Sequence, residues 1–178
     1  LKEGLPRNHG YYRSNDGSCG YFASDKGVLK ITPPSHTSDD WKVEEVIDGK
    51  ISEIALIDID GDSIEEIITI EPFHGNAIYI YKLMEGTYQR VFKYPYMIDF
   101  AHALVGAEVA GVKSFIGGVS RVNSELFMIQ FINGEFVITI LEEGVGPANV
   151  AITKCEGYDL IHSANHTQNH AAVYIVKE

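Results

Sequence analysis

Asp58, Asp60, Gly61, Asp62 and Glu66 fall within nine residues of this chain, in Leu56-Ile-Asp-Ile-Asp-Gly-Asp-Ser-Ile-Glu-Glu-Ile-Ile-Thr-Ile70. Hard oxygen donors at the first, third, fifth and ninth positions, with the Ile64 backbone carbonyl at the seventh, can converge on one calcium-type cation, and Gly61 permits the tight turn between them. The helix that closes an EF-hand loop does not follow. Ile67-Ile-Thr-Ile70 is rich in β-branched residues and reads as a strand. The expected metal ligands, Asp58, Asp60, Asp62, Ile64 (backbone) and Glu66, therefore sit in a loop that joins two strands of a hairpin.

Histidine is the second chemical resource, with seven in the chain. An imidazole can act as acid, base or transition-metal ligand near neutral pH, so what these residues can do depends on which elements bring them together. Four strand-like runs, 54–60, 66–71, 76–82 and 88–94, are separated by short turns and make one four-stranded meander. A second copy is legible at 102–108, 113–117, 125–131 and 135–141, and a third, at the front, at 9–13, 19–24, 27–32 and 41–47. The last copy, 148–153, 159–163 and 171–177, stops after three strands. Two pairs of positions support the repeat: Ala77-Ile-Tyr-Ile-Tyr-Lys82 aligns with Ala172-Val-Tyr-Ile-Val-Lys177 at an offset of 95, and His9 with His102 at an offset of 93. No stretch keeps a helical period, and turn signals such as Asp16-Gly17 and Asn133-Gly134 recur at the rhythm of an all-β protein.

The expected fold class is an all-β β-propeller of four-stranded antiparallel blades, with about four blades in this chain and the last lacking its outer strand. The blades fall at approximately 9–48, 51–96, 99–143 and 146–178 of a single propeller. Closure then calls for further blades, from a longer parent chain or a second copy. The segment Leu1-Lys-Glu-Gly-Leu-Pro-Arg7 is a poor latch strand because it is short and contains Pro6.

Topology sorts the chemistry by face. In a meander lettered A to D from the inside, the D-to-A and B-to-C connections share one face, and the A-to-B and C-to-D turns share the other. The carboxylate loop is an A-to-B turn. His9 and His102 open A strands next to the channel, His74, His166 and His170 lie in B-to-C turns, and Glu71 is assigned to the same face. His36 falls on the opposite face, and His162 within a strand. The catalytic candidates are thus His9, His102 and His74, and the ligand-binding candidates His9, His74, His102 and His166, with a transition metal between His9 and His102 as one use of the cluster. A polar loop also collects His and Asn without any function, and both readings stand at this stage.

The stretch Ala55-Leu-Ile-Asp-Ile-Asp-Gly-Asp-Ser-Ile-Glu-Glu-Ile-Ile-Thr-Ile-Glu71 resembles the FG-GAP/VCBS repeat of integrin-α-like β-propellers, in which an Asp-x-Asp-Gly-Asp-Gly loop precedes an acidic residue and the second strand. Ser63 replaces the usual loop glycine. Gly146-Pro-Ala-Asn-Val-Ala-Ile152 with Tyr158-Asp-Leu-Ile-His-Ser-Ala-Asn165 is similar to the same repeat without its acidic loop, and Lys154 stands where carboxylates would be needed. The resemblance implies Ca2+ in the one intact loop and an extracellular or cell-surface setting. It also implies one of two functions. The first is a non-catalytic binding or scaffold propeller that takes carbohydrate or protein on the channel face. The second is a carbohydrate lyase or dehydratase using the channel-facing histidines as acid, base or metal ligands.

Composition narrows the partners. A net charge of −11 argues against nucleic acid, whose phosphates call for clustered Lys and Arg. No apolar run reaches the roughly 18 residues of a membrane helix. Cys19 and Cys155 are too few for a disulfide framework and read as small core or turn residues. Asn165-His-Thr167 fits the N-glycosylation pattern. Trp41, Tyr11, Tyr12, Tyr79 and Tyr81 could stack on sugars but are expected to pack between blades, and Gly117-Gly118 reads as a strand end. A Gly-x-Ser-x-Gly elbow, a P-loop and a Cys-x-x-Cys motif are all absent.

Overall fold

The structure, a computed structural model, describes residues 3–177, so Leu1 and Lys2 of the weak latch segment lie outside it. Fifteen strands form four antiparallel sheets in chain order. The first sheet holds β1 (Tyr11–Arg13), β2 (Gly20–Ser24), β3 (Gly27–Thr32) and β4 (Lys42–Ile47). The second holds β5 (Glu53–Ile57), β6 (Glu66–Glu71), β7 (Ala77–Met84) and β8 (Thr87–Lys93). The third comprises β9 (Ile98–Val109), β10 (Val112–Val122), β11 (Leu126–Ile132) and β12 (Glu135–Glu142). The fourth has three strands, β13 (Pro147–Cys155), β14 (Tyr158–Asn165) and β15 (His170–Lys177), and a 3-10 turn over His166–Gln168 joins the last two. Each sheet is a meander with its first strand innermost, which is the blade of a propeller.

Burial explains why the second strands are so apolar. Successive side chains of a strand point to opposite faces, and a sheet stacked between two others buries both. In β6 all six residues are buried. Ile67 joins Leu56, Val28 and Tyr81 in a core between the first and second sheets, while Ile68 and Ile70 join Phe115, Phe127 and Ile129 between the second and third. A third core, with Ile116, Met128, Val150 and Ile161, lies between the third and fourth sheets. Among the described residues no core joins the fourth sheet back to the first. Tyr12, Tyr79 and Tyr81 pack in the first of these cores, as the alternation suggested. Trp41 and Tyr11 do not: they are 49% and 56% exposed, because Trp41 precedes β4 and Tyr11 lies on the outward face of the short β1.

The inner strands approach closely enough to touch by backbone. The Gly10 N–H donates to Ser52 O at 2.7 Å, and the Ala101 N–H donates to Gly75 O at 3.0 Å. A Cβ on Gly106 would lie 2.5 Å from Leu56 O. Gly117 and Gly118 correct the strand-end reading, because β10 runs on to Val122, with a register shift between Gly118 and Val119. A Cβ on Gly117 would meet the Phe127 ring at 2.3 Å, and one on Gly118 would meet Pro147 at 2.6 Å. The pair therefore marks a close packing site inside a long strand. Its partner β9 begins at Ile98, which places His102 several residues into the strand instead of at its opening.

Gly118→Val should destabilise the protein by about 1–3 kcal/mol, the usual cost of overpacking a tight contact. Chemical denaturation of the variant reads this directly, and an unchanged midpoint would mean that the third and fourth sheets are not packed as described.

Candidate functional site

Three histidines, one from each of the first three sheets, converge on the face that carries the B-to-C turns. The ring centroids of His9 and His74 are 5.3 Å apart, those of His74 and His102 4.8 Å, and those of His9 and His102 5.7 Å, all in edge-on arrangements. One ring nitrogen of each lies within 4.8 Å of the other two. His9 precedes β1, where its N–H donates to Ala23 O at 3.1 Å and the adjacent Gly10 is tied to Ser52 at the head of β5. His74 sits in the turn between β6 and β7, held by Gly75, at which a Cβ would lie 2.1 Å from Glu71 O. The same Gly75 accepts from Ala101, so the turn bearing His74 and the strand bearing His102 are joined next to the two rings.

Each imidazole has a defined surrounding. The His9 Nδ1–H donates to Glu53 Oε2 at 3.1 Å. The His102 Nδ1 lies 2.8 Å from Ala148 O, and because a carbonyl only accepts, this nitrogen carries the proton. His74 Nε2 is buried without a hydrogen-bond partner. Its ring stacks on Phe73 at 4.2 Å and meets the edge of Phe100 at 4.7 Å. Burial, then the proximity of His102 and His9, push the His74 imidazole below its ordinary value. Burial raises the Glu53 carboxyl above the usual range, against the Ile54 N–H, His9 and His102, which favour its charged form. His74 and Phe100 both have positive φ, 45° and 58°. His74 lies in a turn, where histidine tolerates this conformation, but for Phe100, inside β9, it is a strained backbone of the kind that accumulates at functional sites.

A cleft of about 600 Å3 adjoins His102 and is lined by Phe100, Ser120, Arg121, His166 and Asn169. His166 is thus beside the histidine cluster across this cleft and not part of it. Arg121 lies 4.5 Å over the Phe100 ring and Arg7 5.6 Å over Phe73, so cations flank both aromatic walls. Glu71, assigned to this face from sequence, and Asn165 of the glycosylation triplet are both occupied elsewhere. Glu71 is buried and accepts from Thr69 Oγ1, Tyr81 Oη and Arg90 Nη2 at 2.8, 2.7 and 2.6 Å. Asn165, also buried, lies 3.0 Å from His170 Nε2 and 3.1 Å from Tyr174 Oη, so the glycosylation triplet has no accessible acceptor. His162 pairs with Thr153 Oγ1 at 3.1 Å within the fourth sheet.

The carboxylate loop lies at the other end of β6 from His74, roughly 20 Å away at the usual rise per residue. Asp58, Asp60 and Glu66 each offer an oxygen within 4.8 Å of the others, and Asp62 stands outside that trio. Asp60 Oδ1 accepts from the Asp62 N–H and Asp62 Oδ1 from the Ile64 N–H, which sets the turn. Two lysines serve the loop. Lys82, from β7, bonds Asp60 and lies 2.7 Å from Asp62 and 3.3 Å from Glu66; Lys113, from the next sheet, lies 2.6 Å from Asp58 Oδ2. Its carboxylate partners, with Asp60 the strongest and Asp62 next, hold the Lys82 ammonium well above its ordinary value. Burial pushes Glu66 up. The donor set still suits a hard cation, since Asp58 Oδ1 is buried with no hydrogen-bond partner and oxygen ligands converge beside it. In the fourth sheet Lys154 fills the corresponding role, 2.8 Å from Asp159, consistent with a loop that has exchanged carboxylates for an ammonium.

A scan of protein-family models finds none that matches, and no curated protein matches the chain. Among solved structures the chain is similar to the crystal structure of the RRP9 WD40 repeats, at 11% identity and a TM-score of 0.55 over 98% of this chain and 52% of that one. It is also similar to the structure of U3-55K, at 10% identity and a TM-score of 0.52 over 98% of this chain and 53% of that one. The chain spans about half the length of these structures. At such identities the likeness is one of fold, and it shows a β-propeller.

The residues that sequence reading missed are Glu53, Phe73, Phe100, Arg121, Lys82 and Lys113. Glu53 carried a faint signal, a lone charge between Ser52 and the apolar run 54–57 that opens a strand. The lysines carried none, because they reach the loop from strands far along the chain.

At Asp58 burial acts to raise the carboxyl, but the hydrogen bond and charge of Lys113 and the N–H groups of Gly61 and Ser63 outweigh it, and the group falls below its ordinary value of 3.8. The associated stability is fully present above that value and is lost as the pH falls through the lower folded one. Lys113→Met should raise the Asp58 carboxyl and move the acid limb of the melting profile to higher pH. NMR titration of the Asp58 carboxyl checks this, and an unmoved midpoint would exclude Lys113 as its partner.

Proposed function

We propose that this chain belongs to a non-catalytic binding propeller that takes a protein partner on its channel face, through a segment bearing an anionic group. The observation that carries this reading is the convergence of His9, His74 and His102 from three sheets between the Phe73 and Phe100 rings, with Arg7 and Arg121 over those rings. On a chain of net charge −11, Arg121 at the cleft and Arg7 beside the cluster are exposed and only loosely paired, with Asp99 at 3.7 Å and Asp25 at 3.6 Å, so an incoming carboxylate can take the place of these partners. Further blades, from a longer parent chain or a second copy, belong to this reading, in keeping with the half-length match to longer propellers.

Selection of peptides on the immobilised chain, with acidic oligosaccharides as a parallel panel, tests it. Acidic peptides should bind, and Arg121→Ala and Phe100→Ala should each weaken them at least tenfold, on the order of the loss of one interface anchor. Binding of oligosaccharides alone, or peptide binding indifferent to both variants, would defeat the proposal.

The repeat itself is read as the FG-GAP/VCBS kind, supported by a carboxylate loop that joins the first two strands of the second sheet. In this reading Asp58, Asp60 and Glu66, with Asp62 and the Ile64 carbonyl, hold Ca2+ once the Lys82 ammonium moves aside, and the ion braces the turn. Calcium should raise the melting temperature of the wild type, and Asp58→Ala should remove most of that rise, because an ion bound only by the folded form stabilises it. Lys82→Met, which removes the competing cation, should strengthen calcium binding by tenfold or more. Calorimetric titration measures both, and a wild type whose melting ignores calcium and chelator would reduce the loop to a lysine-braced turn.

The second reading is a carbohydrate lyase or dehydratase, favoured by one contact. Glu53 holds the His9 Nδ1–H, which leaves Nε2 able to take a proton beside a sugar carboxyl or carbonyl group. Elimination from acidic oligosaccharides, followed by ultraviolet absorbance of the unsaturated product and abolished in His9→Ala, would select it over the scaffold.

A further inference from the structure

We propose that His9, His74 and His102 form a centre for a divalent transition metal ion of the zinc type, with one coordination position left for an exogenous ligand. The proposal deepens the channel-face reading and rests on it for the location of the site.

Geometry comes first. Three imidazoles around zinc, at metal–nitrogen distances of about 2.0–2.1 Å, have their nitrogens roughly 3.3 Å apart. Here one nitrogen of each ring already lies within 4.8 Å of the other two, so modest side-chain rotation closes the set. The tautomers leave a lone pair available on two of the rings. The His9 Nδ1–H is given to Glu53 and the His102 Nδ1–H to Ala148 O, so in both neutral rings the lone pair is on Nε2. A carboxylate and a carbonyl on the far nitrogen are the outer partners that fix a metal-ligating histidine and raise its basicity. The third ring supplies an independent observation: His74 Nε2 is buried with no hydrogen-bond partner, an unmet polar group that a folded protein ordinarily satisfies.

Plain packing does not account for the trio. Edge-on contact among three neutral rings is available to phenylalanine, which already supplies Phe73 and Phe100 beside them, and which would leave no unmet nitrogen. The strained backbone at Phe100, inside β9, likewise holds the wall beside His74 in place at a cost that packing alone does not require. Nitrogen donors without a carboxylate select zinc, cobalt or nickel over calcium, so the two ends of the second sheet differ in ion class: hard cation at the Asp58 loop, borderline cation at the histidines. Three protein ligands leave the fourth tetrahedral position free for an exogenous ligand.

The test is titration of the untagged, chelator-stripped chain with Co2+, read by visible absorption, followed by displacement with Zn2+. One equivalent should give the intense bands of a four- or five-coordinate site, and excess Ca2+ or Asp58→Ala should leave them unchanged. His9→Gln and His102→Gln should abolish them, and Glu53→Gln, which keeps all three ligands, should weaken cobalt binding by about 10–100-fold. Circular dichroism of each variant guards against loss of fold, and His9, at the exposed edge, is the substitution least coupled to packing. No such bands, bands that survive both His variants, or bands lost to calcium would overturn the centre. Peptide binding equally tight with and without chelator, in the absence of cobalt bands, would overturn the metal centre while leaving the binding propeller standing. A cobalt site on a chain that binds no peptide would do the reverse.

Discussion

The architecture depends on how near the inner strands of neighbouring sheets can come. Backbone groups meet directly at Gly10 and Ser52 and at Ala101 and Gly75, and Gly106 lies against the Leu56 carbonyl where any Cβ would collide. This proximity sets the spacing of the sheets, and the spacing decides whether Ile67 on one face and Ile68 and Ile70 on the other find filled cores. Burial of apolar area supplies the favourable free energy, but the glycine contacts determine that it is gathered in three layers between four sheets.

The same constraint creates the histidine cluster. No single blade brings two of these residues together; His9, His74 and His102 meet because the start of the first sheet is bonded to the second at Ser52, and β9 is bonded to the β6–β7 turn at Gly75. The opposite face is organised by different chemistry. Carboxylates gather at the Asp58 loop and are answered by Lys82 from the same sheet and Lys113 from the next, so charge pairing there ties one blade to its neighbour as well as shaping a turn. Lys154 repeats the device in the fourth sheet, pairing with Asp159 of its own sheet and donating to the Glu108 carbonyl of the third. Polar ties on one side and aromatic-walled imidazoles on the other give the two faces distinct roles.

The fold was largely legible because its signal is local and repeated. Each run of β-branched residues lies between turn residues, and the all-β propeller with an incomplete last blade follows from their order. The ends of β9 and β10 were misjudged because Gly117-Gly118 looks like a break, whereas glycine there admits Phe127 and Pro147 at distances no sequence window contains. The three histidines could also be singled out from the order of strands and turns, although His102 proved to lie inside β9. Their company was not: Glu53, Phe73 and Phe100 reach the cluster only through contacts between sheets, and Glu71 left the face because Thr69, Tyr81 and Arg90 claim its carboxylate. Sequence order predicts which end of a sheet a residue occupies, but it does not reveal which neighbour has already taken its hydrogen-bonding capacity.

The fourth sheet stacks on the third through Tyr174 and Val176, while Val173 and Ile175, on its other side, are 56% and 64% exposed. In a linear stack an end unit has one interface where an inner unit has two, and cooperativity weakens accordingly. Thermal motion will therefore open this molecule in a graded way, with amide protons of β15 exchanging long before those of β6 or β11, and the cleft beside His166, next to that least protected sheet, will keep its shape less well than the cores around β6.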